Sequence, residues 1–326
     1  MPDRPLVSIV TPTLNQGRFI EHALRSVRSQ TYANVEHVVV DGGSVDGTLD
    51  ILRAAGDAGE IRWQSEPDDG MYDAVNKGVA LTTGEIVAYL NSDDALFPWA
   101  IESVVSAFER RPAIDLVFGD GVKVDEESGE QRVRLFPPFE RTRLAHHESL
   151  MQPAVFARRR LLDRIGGFDA RMRFVADLDA WLRASEGGAT IAHIDEMLAV
   201  ERIHAERLSS AQAAVMDEEN RAMRATHTGT VDDAAGRARA KRRHRAWLRW
   251  NWSRFLVAAM VRRKRGPWAH FVREGGVTVS PKKVVSGQLP GRSGRLQKAA
   301  RSRLAADILD VHPSPDVGKV PRPEGA

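Results

Sequence analysis

The chain has 326 residues, of which 42% are hydrophobic and 28% charged, with a formal net charge of +3 and no cysteine. These values are typical of a globular protein and exclude disulfide frameworks, thiolate metal sites and wholly disordered classes. The longest apolar run, residues 255–261, is far shorter than the roughly 20 residues that a membrane-spanning helix needs. Because the charged N-terminus does not resemble a secretory signal, we expect a cytoplasmic protein.

The first part of the chain alternates strand-like and helix-like segments. Residues 7–11 and 35–41 are β-branched runs closed by Pro or Gly, as in strands buried on both faces. Residues 17–30, between them, carry one apolar stripe at helical spacing. Further strands are predicted at 61–64, 85–90, 116–118 and 131–135, and helices at 46–55, 71–81, 98–110, 160–165 and 177–184. This order predicts an α/β fold with a mostly parallel sheet flanked by helices.

Polar clusters follow the early strands, at residues 11–15, 41–44, 66–70 and 91–94. Ligands of open parallel sheets bind beyond the carboxyl ends of the strands, so we expect these loops to share one edge. The dinucleotide-binding motif G-x-G-x-x-G does not follow the first predicted strand, and the P-loop motif G-x-x-x-x-G-K-[ST] does not occur in the sequence. Dinucleotide redox chemistry and P-loop chemistry are therefore poor candidates.

Two adjacent carboxylates, Asp93 and Asp94, directly follow a predicted strand. A divalent cation would offset their repulsion, and Mg²⁺ or Mn²⁺ is commonly held by one or two carboxylates together with nucleotide phosphates. Alternatively, one of the two caps the helix predicted from residue 98. The pair alone does not decide between a metal site and a helix cap.

Four stretches resemble glycosyltransferase family 2, which comprises nucleotide-sugar-dependent transferases with the Rossmann-like GT-A fold. They are VSIVTPTLNQGRFIEHALRSVRSQTY (7–32), VVVDGGSVDGT (38–48), EPDDGMYDAVNKGVALTTGEIVAYLNSDD (66–94) and QPAVFARRRLLDRIGGFDARMRFVADLDAWLR (152–183). The resemblance implies inverting, metal-dependent transfer of a sugar, with Mn²⁺ or Mg²⁺ as cofactor. The implied donor is a nucleotide-sugar, expected to be UDP-linked. The implied acceptor is a hydroxyl of a glycan or lipid-linked molecule in surface polysaccharide assembly.

The same resemblance assigns the donor-side residues. Thr11, Pro12 and Asn15 resemble the family's wall around the base and ribose, and Asp41 resembles the acid that contacts the base. Asp93 and Asp94 resemble the D-x-D-type element: Asp93 would contact the ribose, and the pair would hold the metal on the diphosphate.

The resemblance also places Asn76, Lys77 and Asn91 on the donor side. Asn76 and Lys77 resemble an N-x-G element at the donor site, but Lys77 is equally well interpreted as a solvated helix charge. Asn91 stands where many relatives have Asp, so one carboxylate of the family pattern is missing and metal affinity could be weaker.

On the acceptor side, Asp177 matches the family's general base, which takes the proton from the acceptor hydroxyl. Ala176 replaces a frequent Glu, and this departure, with Asn91, keeps open a non-catalytic sugar-nucleotide-binding or scaffold protein of the same fold. Asp179 is expected to be an anchor, and Trp181 to be a core residue. His204 resembles a histidine that approaches the metal or diphosphate.

Charge divides the chain into unequal parts. Residues 234–273 contain 13 Lys and Arg and no Asp or Glu, whereas the residues before them are acidic overall. We therefore predict a catalytic domain at 1–210, with a nucleotide-sugar half to about residue 120 and an acceptor half from 121. A basic, aromatic helical extension is predicted at 211–280 and a disordered tail at 281–326.

The basic extension also contains four of the seven tryptophans. Tryptophan beside Lys and Arg suits a membrane–water interface, so peripheral attachment to the inner face of the cell membrane is one interpretation. Packing against the acidic catalytic domain is an equally good alternative. Nucleic-acid binding is disfavoured because no known nucleic-acid-binding motif frames the segment.

Overall fold

The computed structural model describes residues 4–147, 149–207, 212–229 and 234–261, the last of these with side chains to residue 251. The strands are β1 (Val7–Thr13), β2 (Val35–Asp41), β3 (Arg62–Ser65), β4 (Ile86–Tyr89), β5 (Ala95–Leu96), β6 (Leu116–Asp125), β7 (Gln131–Arg134), β8 (Val155–Arg158) and β9 (Ile191–Ile203). The helices are α1 (Ile20–Arg28), α2 (Thr48–Asp57), α3 (Met71–Leu81), α4 (Ala100–Arg110), α5 (Arg141–Leu144), α6 (Arg159–Ile165), α7 (Ala176–Glu186), α8 (Ala213–Thr228) and α9 (Ala234–Val261).

In the described part of the chain, one sheet of nine strands has the order β3-β2-β1-β4-β8-β6-β9-β5, with β7 paired to β6. The pairs among β3, β2, β1 and β4 are parallel, as predicted. Antiparallel pairs enter where β8 is inserted between β4 and β6. The predicted α/β fold with flanking helices is thus confirmed, and the sheet becomes mixed beyond β4.

The parallel strands place their carboxyl ends at one edge. Thr13, Asp41 and Ser65 are register partners on β1, β2 and β3, so the loops that follow these strands start side by side. The apolar stripe predicted on the first helix is buried against the sheet. The edge predicted to carry the polar clusters therefore rests on a rigid, buried layer.

Helix α3 lies unusually close to this layer. A Cβ atom added at Gly78 would lie 2.3 Å from a methyl carbon of Val10, so only glycine allows α3 to pack directly on β1. This approach fixes Asn76 and Lys77, on the preceding turn, relative to the sheet edge.

The C-terminal helices lie against the acceptor half. Arg243 on α9 pairs with Glu140 at 2.5 Å, and the ring of His244 contacts that of His147, with centroids 5.2 Å apart. Packing against an acidic residue of the predicted catalytic domain, one of the two interpretations of the extension, is thus part of the structure. The tail predicted at 281–326 lies outside the described residues.

Candidate active site

Asp41 shapes the loops that follow the first strands. Its side chain is fully buried, and one carboxylate oxygen accepts hydrogen bonds from the backbone N–H groups of Gly43 (3.0 Å) and Ser44 (2.9 Å). The same oxygen accepts one from the Ser65 hydroxyl at 2.6 Å. A buried carboxylate needs such partners, so Asp41 fixes the 41–44 loop against the end of β3. Its predicted contact with a nucleotide base stays a prediction.

Asn15 joins the loop after β1 to the 41–44 loop. Its backbone is left-handed, with φ at +53°, a conformation that asparagine tolerates better than most residues. Its N–H donates to the Ser44 hydroxyl at 2.7 Å, and its side-chain oxygen accepts a hydrogen bond from the N–H of Val45 at 2.9 Å. Because Asn15 is exposed, it can border a nucleotide pocket as predicted.

Thr11 and Pro12, unlike Asn15, are both buried. The Thr11 hydroxyl lies 2.9 Å from Nε2 of His37 in the interior, where burial lowers the pKa of His37 to about 3 and keeps the ring neutral. These two residues therefore support the loop from behind, and their predicted place in the wall around base and ribose stays a prediction.

Asp93 is held by His204, which follows β9. Its Oδ2 atom lies 3.0 Å from Nε2 of His204, and the buried histidine ring packs on that of Phe19 with centroids 4.4 Å apart. The Asp93 side chain is still 18% exposed. His204 thus orients a carboxylate that remains open to solvent.

Asp94 is buried, with 2% exposure, and its Oδ1 atom accepts a hydrogen bond from the backbone N–H of Arg202 at 3.0 Å. Burial, followed by the negative charges of Asp93 and Glu201, raises the pKa of Asp94 well above its ordinary value. Asp94 therefore ties the 91–94 loop to β9, whereas Asp93 faces outward.

The alternative that one of these aspartates caps a helix is wrong. Helix α4 begins after Trp99 without a side-chain cap, and strand β5 lies between the two aspartates and that helix.

Arginines supply positive charge around the pair. The Arg202 side chain is 2% exposed, and its Nε donates to the Asp93 carbonyl oxygen at 3.2 Å. Its guanidinium also pairs with Glu126 at 3.2 Å. Arg207 pairs with Glu201 at 2.7 Å. The acidic residues here thus belong to a mixed-charge network that uses buried arginine to offset their repulsion.

No group of three or more His, Cys, Asp or Glu side chains within the described ranges is placed to hold a metal ion. The three predicted ligands are therefore not assembled into a complete site built from protein groups alone. Mg²⁺ and Mn²⁺ are, however, usually held by one or two carboxylates plus substrate phosphates and water.

The oxygen atoms of the 91–94 loop fit this simpler requirement. Asp93 presents an accessible carboxylate, and the buried Oδ1 of Asn91 has no hydrogen-bond partner in the part of the chain that the structure describes. His204 fits less well, because its Nε2 faces Asp93 and its Nδ1 is buried.

Asp177, in the first turn of α7, is a half-buried carboxylate of a different kind. The Tyr72 hydroxyl on α3 lies 3.0 Å from its Oδ1 and 3.2 Å from the carbonyl oxygen of Phe174. Burial raises the pKa of Asp177 to about 6, although hydrogen bonds from the Leu178 N–H and the Tyr72 hydroxyl partly oppose this rise. Such a group is ionised at neutral pH and accepts a proton readily.

Tyr89 links the two carboxylate groups. Its ring meets that of Tyr72 edge-on, with centroids 6.3 Å apart, and its strand β4 leads directly into the 91–94 loop. Gln152 donates to the Tyr89 carbonyl at 2.8 Å and accepts from the Asn91 amide at 3.3 Å. The carboxylates predicted for the donor side and the acceptor side therefore rest on one set of packed side chains.

Asn76 uses its amide within the protein. It donates to the Phe168 carbonyl at 2.7 Å and accepts from the Phe168 N–H at 3.0 Å. This pair of bonds fixes the turn at Gly167, where φ is +70° and a Cβ would lie 2.8 Å from the Asn76 oxygen. A positioning role is thus favoured over the predicted contact with the nucleotide.

Lys77 pairs with Asp73 at 3.1 Å and Glu66 at 3.4 Å, so its charge stabilises the 66–70 loop.

On α7, Asp179 is buried between Arg183 (2.7 Å) and His227 (2.9 Å), which agrees with the expected anchor. Trp181 is 3% exposed and belongs to the main core, as expected.

Comparison with known proteins identifies the family. Residues 8–166 match the family model for glycosyl transferase family 2. A PGL/p-HBAD biosynthesis glycosyltransferase of Mycobacterium tuberculosis (strain ATCC 25177 / H37Ra) is 36% identical over 191 residues, which are 57% of this chain and 72% of the relative. This chain belongs to glycosyltransferase family 2. An uncharacterized glycosyltransferase of Rickettsia prowazekii (strain Madrid E) is 28% identical over 66% of this chain and 69% of its own length.

Solved structures agree on the GT-A fold of this family 2 chain. Residues 1–349 of S. aureus TarS, in complex with UDP-GlcNAc, superpose with a TM-score of 0.56 and 18% identity over 78% of this chain and 75% of that one. The mannosyltransferase PcManGT from Pyrobaculum calidifontis, in complex with GDP-Man and Mn²⁺, gives a TM-score of 0.55 and 20% identity over 84% and 80%. At these identities the likeness establishes the fold alone.

Three residues that position the candidate site of this family 2 chain were not predicted from its sequence. They are Tyr72, Gln152 and Arg202, whose hydrogen bonds join residues more than 60 positions apart. No local spacing signals such contacts. Tyr72 and Gln152 lie in stretches that carried the family resemblance, 66–94 and 152–183, but neither was singled out.

Proposed function

We propose that this family 2 glycosyltransferase moves a sugar, with inversion, from a UDP-linked donor to a hydroxyl group, with Asp177 as the general base. The observation that carries the proposal is the half-buried carboxylate of Asp177, whose pKa is raised to about 6 and which Tyr72 orients. An anchor residue of a scaffold protein would gain nothing from a proton affinity tuned so close to neutral pH.

Asp177 acts on the acceptor side. Above pH 6 it is ionised and takes the proton of the acceptor hydroxyl as that oxygen attacks the anomeric carbon. Tyr72 holds the carboxylate in one orientation, which keeps the proton acceptor aligned with the attacking oxygen. Because the hydroxyl attacks opposite the departing diphosphate without a covalent intermediate, the anomeric centre inverts.

The donor side requires a different chemistry. The group that would hold Mg²⁺ or Mn²⁺ is Asp93, supported by His204 and backed by Asp94. A bound divalent cation would supply positive charge for the leaving nucleoside diphosphate. Of the two predicted carboxylate ligands, Asp93 is half-buried and Asp94 is buried, which favours Asp93 as the metal ligand.

The test is a panel of UDP-, GDP- and dTDP-sugars, each with Mn²⁺, with Mg²⁺ or with EDTA. We expect a UDP-sugar to raise the unfolding temperature only with the metal, and NMR of the product to show an inverted anomeric configuration. Retention of configuration would refute the role of Asp177. Donor binding without turnover on any acceptor would favour the non-catalytic alternative.

For the acceptor we propose a hydroxyl of a glycan or lipid-linked molecule in surface polysaccharide assembly. The supporting facts are the family membership and the named role of the mycobacterial relative in PGL/p-HBAD biosynthesis. Transfer to purified lipid-linked glycans, compared with the free sugars, tests this choice. Equal rates on both would count against a lipid-linked acceptor.

We further propose that α9 attaches the acceptor half to an anionic lipid surface. Trp250 is 85% exposed, and Lys241, Arg242, Arg245 and Arg249 are exposed on the same helix. Exposed tryptophan with cations suits the headgroup layer. None of the described helices combines the length and apolar character needed to cross a bilayer.

Sedimentation with phosphatidylglycerol vesicles tests the attachment. We expect binding that weakens with salt and that is lost in Trp250→Ala/Arg245→Glu, but is retained in the control Arg111→Glu, an exposed cation after α4. Equal binding of both variants would overturn it.

A further inference from the structure

Helix α8 contacts the acceptor half although it lies beyond residues 8–166, the part that matches the family model. Within the side chains described, Met223 is its fully buried residue, and it joins the main core. Hydrogen bonds and ion pairs also join α8 to α7 and to the segment before it. Polar contacts fix distance and direction more narrowly than apolar burial does.

Glu219 holds the segment that leads into α7. One carboxylate oxygen accepts the N–H of Arg173 and the other accepts the N–H of Phe174, both at 2.8 Å. Helix α7 begins at Ala176, so this carboxylate captures two consecutive backbone donors just before the helix that carries Asp177. Charge-assisted bonds of this kind are among the stronger hydrogen bonds in proteins.

The captured segment also touches the general base through Tyr72. The carbonyl oxygen of Phe174 lies 3.2 Å from the Tyr72 hydroxyl, which lies 3.0 Å from Oδ1 of Asp177. Moving Phe174 would therefore move a partner of the hydroxyl that orients the base. Glu219 is thus connected to Asp177 through one backbone unit and one side chain.

His227, at the other end of α8, binds α7 itself. Its Nε2 lies 2.9 Å from Asp179, and its Nδ1 lies 2.9 Å from Glu186. Both ring nitrogens face carboxylate oxygens, so the two contacts are hydrogen bonds only when the ring carries both protons. Glu219 and His227 therefore fix the start and the length of α7 from one helix.

We propose that α8 is a brace that sets the position of the general base, with Glu219 and His227 as positioning residues for the transfer reaction. The inference rests on the proposed function of Asp177. It deepens that function by extending the catalytic machinery into a helix beyond the matched family region.

The first test is kinetic. Glu219→Ala should lower kcat about tenfold or more while the KM for the donor changes less than twofold, because about 1 Å of misplacement near a reacting group can cost 10²-fold. Since the Tyr72 hydroxyl lowers the pKa of Asp177, its displacement should also move the acidic limb of the pH profile to higher pH. A loss of folded protein alone would not move that limb.

Matched variants separate positioning from stability. Glu218→Ala, an exposed neighbour on α8, should leave kcat unchanged. Glu219→Gln keeps one acceptor oxygen and should give an intermediate kcat, and it replaces Glu219→Ala if that variant unfolds. In a Tyr72→Phe background, Glu219→Ala should have little further effect on kcat. Additive effects, or an unchanged pH profile in Glu219→Ala, would overturn the brace.

Amide hydrogen exchange tests the brace without donor or acceptor. The N–H groups of Arg173 and Phe174 should exchange faster in Glu219→Ala than in the parent chain and in Glu218→Ala. Unchanged exchange overturns the brace even if transfer is confirmed. Faster exchange in a chain that transfers no sugar supports the brace as a structural element and refutes the proposed function alone.

Discussion

The two carboxylate regions of this protein differ in what compensates their charge. Asp93 and Asp94 lie beside His204, Arg202 and Arg207, and the two arginines supply positive charge close to this carboxylate pair. Among the described residues, Asp177 forms no ion pair and is held by the Tyr72 hydroxyl and backbone N–H groups.

This difference suits the two kinds of work that the proposed function assigns. Between His204 and the neighbouring arginines, the accessible carboxylate of Asp93 is fixed in place, which suits the binding of a donor and its metal. Burial raises the pKa of Asp177 to about 6, which suits proton transfer. The proposed division of roles thus rests on the different surroundings of these aspartates.

The sharpest test of the contrast is Asp177→Asn. The amide cannot accept the proton, so we expect kcat to fall by about 10²–10⁴ while donor binding stays within twofold of the parent value. Single-turnover kinetics and isothermal titration with the donor measure the two quantities. Loss of donor binding in this variant would contradict the assignment of Asp177 to proton transfer alone.

Asp93→Asn should have the complementary effect. Removing the accessible charge should weaken Mn²⁺-dependent donor binding on the order of 10–100-fold. Thermal shift with donor and Mn²⁺ reports the change, and Asp163→Asn, an exposed aspartate on α6, is the control. Full metal-dependent binding in Asp93→Asn would remove Asp93 from the donor site.

The pH dependence follows from the raised pKa of Asp177, about 6 against an ordinary 3.8. The transfer rate should fall about tenfold per pH unit below 6, because the base becomes protonated. The folded state binds this proton more tightly than the unfolded chain. The stabilisation that Asp177 adds is thus complete below its ordinary pKa and lost as pH rises through 6.

The stability of Asp177→Asn checks the sign of this effect. Its unfolding temperature relative to the parent chain should increase as pH is raised from about 4 to 6, where the folded parent chain loses the stabilisation of its bound proton, and should level off above 6. A difference that is independent of pH between about 4 and 7 would contradict the raised pKa.

Asn76→Ala is expected to have the smallest effect on catalysis. Loss of both bonds to Phe168 should lower the free energy of unfolding by about 1–3 kcal/mol, measured in urea, with donor affinity unchanged. Weaker donor binding at unchanged stability would instead support the predicted contact of Asn76 with the nucleotide.

The donor half of the fold was predictable because its order is local. The helix predicted at 71–81 and the strand at 35–41 match α3 and β2 to the residue, since each has one apolar periodicity and clear ends. Strands β8 and β9 were missed. Val155–Arg158 is too short to show a period, and β9 mixes buried and charged positions because its partners change along its length.

The site was predictable to the extent that motifs carry it. Asp93, Asp94 and Asp177 were singled out from the sequence, and the structure gives each a distinct environment, while their roles stay predictions. The burial of Thr11 and the use of Asn76 on Phe168 depend on contacts such as that with His37, which no spacing in the chain reports.

The pairing of strand β9 determines where this chain can accept an inserted residue. It runs beside β6 from Ile191 to Ile203, and the Arg202 backbone near its end holds Asp94. Its pairing with β6 is irregular around Asp120 and Met197. An inserted residue before Met197 meets an existing irregularity that can absorb it. An insertion between Ala199 and Arg202 would invert which face each later side chain occupies, so loop transplants between relatives should keep the length of this terminal stretch.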